Sequence, residues 1–326
     1  MAKKTKEARL KIICNPNLPI LKPGIYSGIP IDIYHGPTAE GDPALTPTPS
    51  VSSSGLKTVW SKSLRHFFHE WRAGNPLAEP FEAGPALQLG RAAHHLLLGE
   101  DQFSTLFVGE PERYKSATGE EKPWNNNASV CREFHAQQKA AGRTVIKQDR
   151  LRDIVNMAKS LQLEPIVQAG ALSGYVECSM IVQDKETGLW LRSRPDVIPT
   201  DSGDFTDLKT AADVSDVAIF RTLGSFGYQI QAGLIWEIAD QLGIPFTGYT
   251  LIFVETSAPF CTRVVPLTDE DISRGRRQAR ASIRRVAMAL DRGVWPGPGA
   301  DDLRPMPLPI REREAIDKRL EAEGLT

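Results

Sequence analysis

Two short segments carry the residue types that chemistry on a phosphate needs: Arg194-Pro195-Asp196 and Asp207-Leu208-Lys209. Side chains alternate along a strand, so Asp207 and Lys209 share one face while Leu208 points into the core. Asp196 lies towards the end of the preceding strand, where its carboxylate can face Asp207 across the hairpin. Two carboxylates that close repel unless a cation sits between them. A hard divalent ion such as Mg²⁺ suits oxygen ligands of this kind, and Mn²⁺ accepts the same donors. Lys209 is placed to orient a water or to stabilise charge developing on a phosphate. The Asp/Glu-x-Lys pattern by itself is cheap: it recurs at Glu120-Glu121-Lys122, and a charged pair on a hairpin is often a solvated strand edge. Only the later copy follows a Pro-Asp on a neighbouring strand.

Other residues add to this pair. Gly90-Arg91-Ala92-Ala93-His94 opens an amphipathic helix with small residues that let it approach a sheet. His94 then either reaches a metal or is a partly buried histidine. Glu177, on the strand before Asp196, is a third carboxylate or a cross-strand partner for Arg192 or Arg194. Tyr228 and Gln231 stand one helical turn apart on one face, aimed at a phosphate or water, or aligned by chance on a polar surface.

These residues need elements to hold them. Residues 1–50 are rich in Pro and Gly and read as an extended, irregular entry. Ser52-Ser53-Ser54 offers caps for a helix running towards Trp71, and a second helix is expected from Ala86 to Leu98, stopped by Gly99. Residues 126–163 read as polar, helical and peripheral. Tyr175–Val182, Leu189–Ile198 and Phe205–Lys209 read as an antiparallel meander. Helices are expected over Val214–Leu223 and Tyr228–Leu242, then strands over Tyr249–Glu255 and Cys261–Pro266. Thr268 opens a last helix in which Ile272, Ala279, Ile283, Val286 and Leu290 share a face. Arg274, Arg276, Arg277, Arg280, Arg284 and Arg285 cover the rest, either tracking a phosphate backbone or pairing with acidic neighbours.

The composition is that of a globular chain. Its 326 residues carry 39 basic and 40 acidic side chains, for a net charge of −1, so any basic surface must be local. No apolar run approaches the ~18 residues that span a bilayer, and the basic Met1–Lys6 leads into no signal-peptide stretch. The 4 cysteines, Cys14, Cys131, Cys178 and Cys261, are scattered and fit neither a disulfide framework nor an iron–sulfur cluster. The expectation is a soluble cytoplasmic protein with no membrane partner. Its parts are a flexible basic tail (1–23), one domain (24–300) and a C-terminal tail (301–326). Within the domain lie an entry segment and first helix (24–85), a helical part (86–174), a catalytic sheet with its helices (175–266) and the Arg-rich helix (267–293).

The whole pattern resembles the PD-(D/E)XK nuclease superfamily, and within it the RecE-type group (the exonuclease VIII nuclease domain), with RecB-like and lambda-exonuclease-like nucleases further off. Gly24-Ile25-Tyr26, Ile29-Pro30, Tyr34-His35, Ser52-x-Ser54-x-Leu56, Leu89-Gly90 with His94, Arg194-Pro195-Asp196, Asp207-Leu208-Lys209-Thr210, Tyr228 with Gln231, and Trp295-Pro296 match in order. The resemblance implies an α/β (α+β) fold, a central mixed sheet with an antiparallel three-strand meander flanked by helices. It implies that His94, Asp196, Asp207 and the Leu208 carbonyl hold Mg²⁺, that Lys209 positions the attacking water, and that Glu177, Tyr228 and Gln231 support the site. It further implies hydrolysis of linear double-stranded DNA from the 5′ end, leaving 3′ overhangs. A ring-like homo-oligomer (trimer or tetramer), a single-strand-annealing partner and a phage or prophage origin in a bacterial host go with that reading. A 5′-phosphate would dock at the helix N-terminus around Ser52, Ser54 and Lys57, with Arg65 and Arg194 as further DNA contacts; ordinary N-capping is the alternative for the serines. One departure is Ile235, where many relatives carry a second tyrosine. The cysteine tetrad of the iron–sulfur branch is missing. An endonuclease or repair nuclease on the same fold, or a catalytically inactive DNA-binding protein, are the competing readings.

Overall fold

The computed structural model describes residues 10–36, 42–78, 84–98, 103–116, 118–299 and 305–325, without the side chains of 85–89. The basic run Met1–Lys6, the side chain of Leu89 and the expected stop at Gly99 lie outside the described residues. The chain enters through β1 (Ile12–Cys14), β2 (Gly24–Ser27), the single turn α1 (Ile31–His35) and β3 (Ser50–Ser52). Helices α2 (Ser53–Ser61), α3 (Leu64–Glu70), α4 (Pro85–Leu97) and α5 (Phe103–Leu106) follow. The next part holds β4 (Phe107–Gly109), β5 (Arg113–Lys115), β6 (Glu121–Pro123), α6 (Ser129–Ala140), β7 (Thr144–Ile146), α7 (Gln148–Gln162) and α8 (Pro165–Gln168). The centre is β8 (Tyr175–Val176), β9 (Ser179–Gln183), β10 (Trp190–Ser193), β11 (Val197–Ile198) and β12 (Asp204–Ala211). Then come α9 (Asp216–Phe226), α10 (Tyr228–Leu242), β13 (Gly248–Glu255), β14 (Thr262–Pro266), α11 (Asp269–Arg292) and α12 (Ile310–Ala322).

Apart from the two-stranded pairs β4-β7 and β5-β6, the strands form two five-stranded sheets, β1-β2-β9-β10-β3 and β14-β13-β12-β11-β8. Both are mixed: β12 runs parallel to β13 over its whole length, while β11–β12 and β9–β10 are antiparallel. The expected meander is therefore present but divided between the sheets. Its first strand breaks at Glu177, which has φ 50, and its second breaks at Pro195, which has no N–H to give to a ladder.

Helix α10 sits between the sheets. Ile230, Leu234, Ile235 and Ile238 are all buried, and a helix that is apolar around most of its circumference belongs inside a core. Ile235 thus fills the interior rather than facing a phosphate. The crossing with α11 is very close, because a Cβ on Gly275 would lie 1.7 Å from the Gln229 carbonyl oxygen. One core joins α2, α3, α9, α10 and α11 to the inner faces of both sheets. A second, around Leu208, Ile252, Val254, Ile154 and Met157, fills the other face of the β12 sheet. That second core corrects the reading of residues 126–163: α7 buries Ile154, Met157 and Leu161.

Three further expectations give way. The tail over 1–23 is structured from Leu10 onwards, since Ile12–Cys14 pairs with Ile25–Ser27 and Ile20 is buried. The single helix towards Trp71 is two, divided where Ser63 caps α3 by accepting the His66 N–H at 3.2 Å. Residues 310–322 form an exposed helix rather than a tail. Trp295 stacks on Phe68 with centroids 4.4 Å apart, which ties the end of the domain to α3.

Candidate active site

Strand register explains why Asp196 and Asp207 meet. Val197 pairs with Thr206 across the antiparallel β11–β12 ladder, so the next rung sets Asp196 against Asp207. Strand β11 has only 2 residues, and beyond it the Leu208 N–H needs another acceptor. Asp196 Oδ2 accepts that bond at 2.6 Å, sparing the sheet a buried unpaired donor. On its other side β11 pairs with β8 through Val197 and Val176, which brings Glu177 level with Asp196. The Glu177 N–H donates to the Asp196 carbonyl at 3.2 Å, and its carboxylate acts on Tyr34 and Cys178.

Alternation along β12 works as expected: Leu208 is fully buried in the second core, and Asp207 and Lys209 face α10. The Lys209 ammonium pairs with Asp207 Oδ2. Gln231 Nε2 donates to the same oxygen at 3.2 Å, and Gln231 Oε1 accepts from Lys57 Nζ at 3.0 Å. An ammonium only donates and a carboxylate only accepts, so this arrangement fixes the orientation of the amide. Tyr228 completes the wall, with Lys57 Nζ 5.2 Å and Lys209 Nζ 5.9 Å from its ring centroid. From α4, His94 Nδ1 reaches within 3.5 Å of Asp196 Oδ2. At Gly90 α4 runs beside β12, where a Cβ would meet Thr210 Oγ1 at 3.4 Å, ordinary van der Waals contact.

The electrostatics follow from burial and proximity. Burial alone would raise Asp196, but the charges of His94 and Lys209 and hydrogen bonds from His94 and Leu208 bring its carboxyl down to about 2. Asp207, 1% exposed, goes the other way: burial and the neighbouring Asp196 raise it despite Lys209. The pair therefore ionises in two separated steps, Asp196 first. Burial would lower Lys209, yet the two aspartates hold it above the usual lysine range. Lys57, with no carboxylate of its own, is pushed down to about 8 by burial and by Lys209.

Among the described residues no three His, Cys, Asp or Glu side chains are gathered as a finished metal cage, so the expected set of His94, Asp196 and Asp207 is not preformed. The reason is local: Lys209 and Gln231 hold Asp207, and the Leu208 N–H holds Asp196. The donor chemistry still fits a hard divalent ion, because relief of repulsion between two buried carboxylates is what such an ion supplies.

The expected DNA contacts divide. Lys57 belongs to the carboxylate cluster itself, bonded to Gln231 from 174 residues away in the chain. Ser52 precedes α2 but makes no side-chain cap; its hydroxyl pairs with that of Ser54 at 3.0 Å. Arg194 is tied inside the protein, donating to Ser179 Oγ and to the Ile29 carbonyl, both at 2.9 Å. Arg65 is exposed on α3, the separate helix. Tyr249, missed in the sequence, lies buried near Asp207, whose charge adds to burial in keeping its hydroxyl protonated. It reads as an ordinary strand aromatic, and no sequence signal marks it.

Residues 52–302 match the family described as a PDDEXK-like domain of unknown function (DUF3799). The fold is similar to the crystal structure of a protein from Eubacterium rectale provisionally designated an exonuclease, with a TM-score of 0.51 and 16% identity, covering 82% of this chain and 92% of that one. No curated protein matches the chain. Among the described residues no helix is long and apolar enough to cross a membrane. Since the match takes in most of the chain, including every element of the site, the protein belongs to the PDDEXK-like family and has the PD-(D/E)XK nuclease fold.

Proposed function

We propose that the protein is a Mg²⁺-dependent exodeoxyribonuclease of RecE type that degrades linear double-stranded DNA from 5′ ends and leaves 3′ overhangs for strand annealing. The observation that carries this reading is the buried Asp196–Asp207 pair with Lys209 on the same strand face. Asp196, Asp207, the Leu208 carbonyl and His94 would hold the ion, with Mn²⁺ an acceptable substitute. When bound, a divalent ion polarises a phosphoryl oxygen and lowers the pKa of water. Lys209 then orients the attacking water and faces the charge that builds on the phosphate. Gln231, held by Lys57, keeps Asp207 in place. Glu177 supports the site from the adjacent strand. The uncapped start of α2, with the Ser52 and Ser54 hydroxyls, is an anion site for a terminal phosphate. A trimeric or tetrameric ring around DNA, an annealing protein as partner, and a place in a phage or prophage within the bacterial cytoplasm complete the proposal.

Linear duplex labelled at the 5′ or the 3′ end, beside a closed circle, tests it. With Mg²⁺ the 5′ label is lost early and the circle survives; chelator stops both. A cut circle would instead favour an endonuclease, and binding without cleavage an inactive scaffold.

A further inference from the structure

The stripe by which α9 packs onto the core continues past the core into solvent. Ile219 on it is buried, Leu223 is half-buried, and Phe226 is 59% exposed; positions four and seven residues on from a starting point share one helix face. Gly227 follows with φ 60 and ψ 38, closing α9 and opening α10 at one residue. Glycine adopts that left-handed corner without steric cost, so Phe226 projects from a fixed point between two helices. Its ring stacks on Tyr228, with centroids 6.0 Å apart and 17° between the planes. Tyr228 is the residue that Lys57 and Lys209 flank. From solvent inward the order is thus an open aromatic face, a buried tyrosine and two ammonium groups beside the carboxylate pair. Cations for the backbone and an aromatic face for the bases are the two components by which proteins hold single nucleic-acid strands.

We propose that Phe226 is a stacking platform for a nucleobase next to the phosphate that is cleaved, which rests on the nuclease reading above. Only an unpaired or terminal base offers its face, so the platform selects frayed or single-stranded nucleotides at a DNA end. Any base qualifies, because each has a π face. Phe220, 73% exposed on the same helix, lies off this stripe and provides a control.

The test compares the full-length wild type with Phe226→Ala, Phe226→Trp and Phe220→Ala on linear duplex with Mg²⁺. A second duplex carries abasic nucleotides at its terminal positions. Phe226→Ala is expected to raise KM about tenfold, Phe226→Trp to restore it, and Phe220→Ala to match the wild type. On abasic ends the wild type and Phe226→Ala are expected to coincide. An unchanged KM in Phe226→Ala, or an equal defect on abasic ends, overturns the platform. A change of oligomer size in light scattering on Phe226→Ala also overturns it, assigning the ring to a contact between copies. Wild type that cuts DNA while Phe226→Ala is normal removes the platform alone. Wild type that cuts no DNA removes the nuclease reading and the platform with it.

Discussion

Two clusters of charge lie on either side of α10, and they are built on opposite terms. In the seam with α11, Arg276 meets Glu237 at 2.9 Å and Asp240 at 2.5 Å, and Arg280 meets Asp184 at 2.8 Å and also Glu237. Arg284 meets Glu186 at 2.5 Å. Each arginine has its acid, and Asp184 lies below the usual carboxylate range because Thr187 and Arg280 outweigh its burial. At the candidate site, by contrast, Asp196 and Asp207 face each other across one rung of neighbouring strands and are displaced in opposite directions. Matched charges lock helices and hairpin together; at the candidate site two buried carboxylates instead crowd around one ammonium, Lys209, and functional sites concentrate such perturbation. Arg276, Arg280 and Arg284 of α11 are thereby assigned to structure rather than to a phosphate track.

Substitutions can separate the two clusters. The largest effect is expected for Asp207→Ala, which lowers kcat by about 10³-fold or more while circular dichroism and DNA binding stay near normal. Next comes Lys209→Ala, with turnover falling far more than metal affinity; calorimetric titration showing the reverse would make Lys209 a structural residue. In the seam, Arg280→Ala leaves the buried Asp184 without its cation while Glu237 keeps Arg276, and is expected to cost about 2 kcal/mol in urea unfolding, with kcat unchanged. A large fall in kcat there would erase the distinction between the clusters.

Acid sharpens the comparison further. Metal ligands must be deprotonated, and Asp207 is raised, so Mg²⁺ affinity is expected to start falling on acidification above the ordinary aspartate pKa. Affinity that held down to that pKa would place Asp207 outside the ligand set. Asp196 is depressed to about 2, so its contribution to stability is complete above about 4 and disappears as pH falls towards 2. The smallest effect belongs to Arg284→Ala, an exposed pair whose loss leaves Tm unchanged; a clear drop would show a cooperative seam.

Legibility from the sequence followed the range of the interactions. Helix α10 was readable end to end because its apolar run is bracketed by Gly227 and Gly243, both left-handed caps. The Asp196–Asp207–Lys209 relation was readable because it is a hairpin register, local in the chain. Strands β1, β2 and β3 were not, since each is only 3 or 4 residues long. Their partners are remote as well: β3 pairs with β10, Ser50 opposite Trp190. Lys57 reads as a terminal-phosphate contact in the sequence, where nothing near it announces Gln231. The division of the meander is hidden in the sequence because Glu177 and Pro195 interrupt strands whose apolar alternation runs straight through them.

The most direct measurement sets wild type and Asp207→Asn side by side on one linear duplex, with Mg²⁺ and with chelator. Cleavage by the wild type in Mg²⁺ alone, and none by the folded variant under either condition, is the expected result. Cleavage by Asp207→Asn, or by the wild type in chelator, would contradict a metal-dependent centre at the Asp196–Asp207 pair.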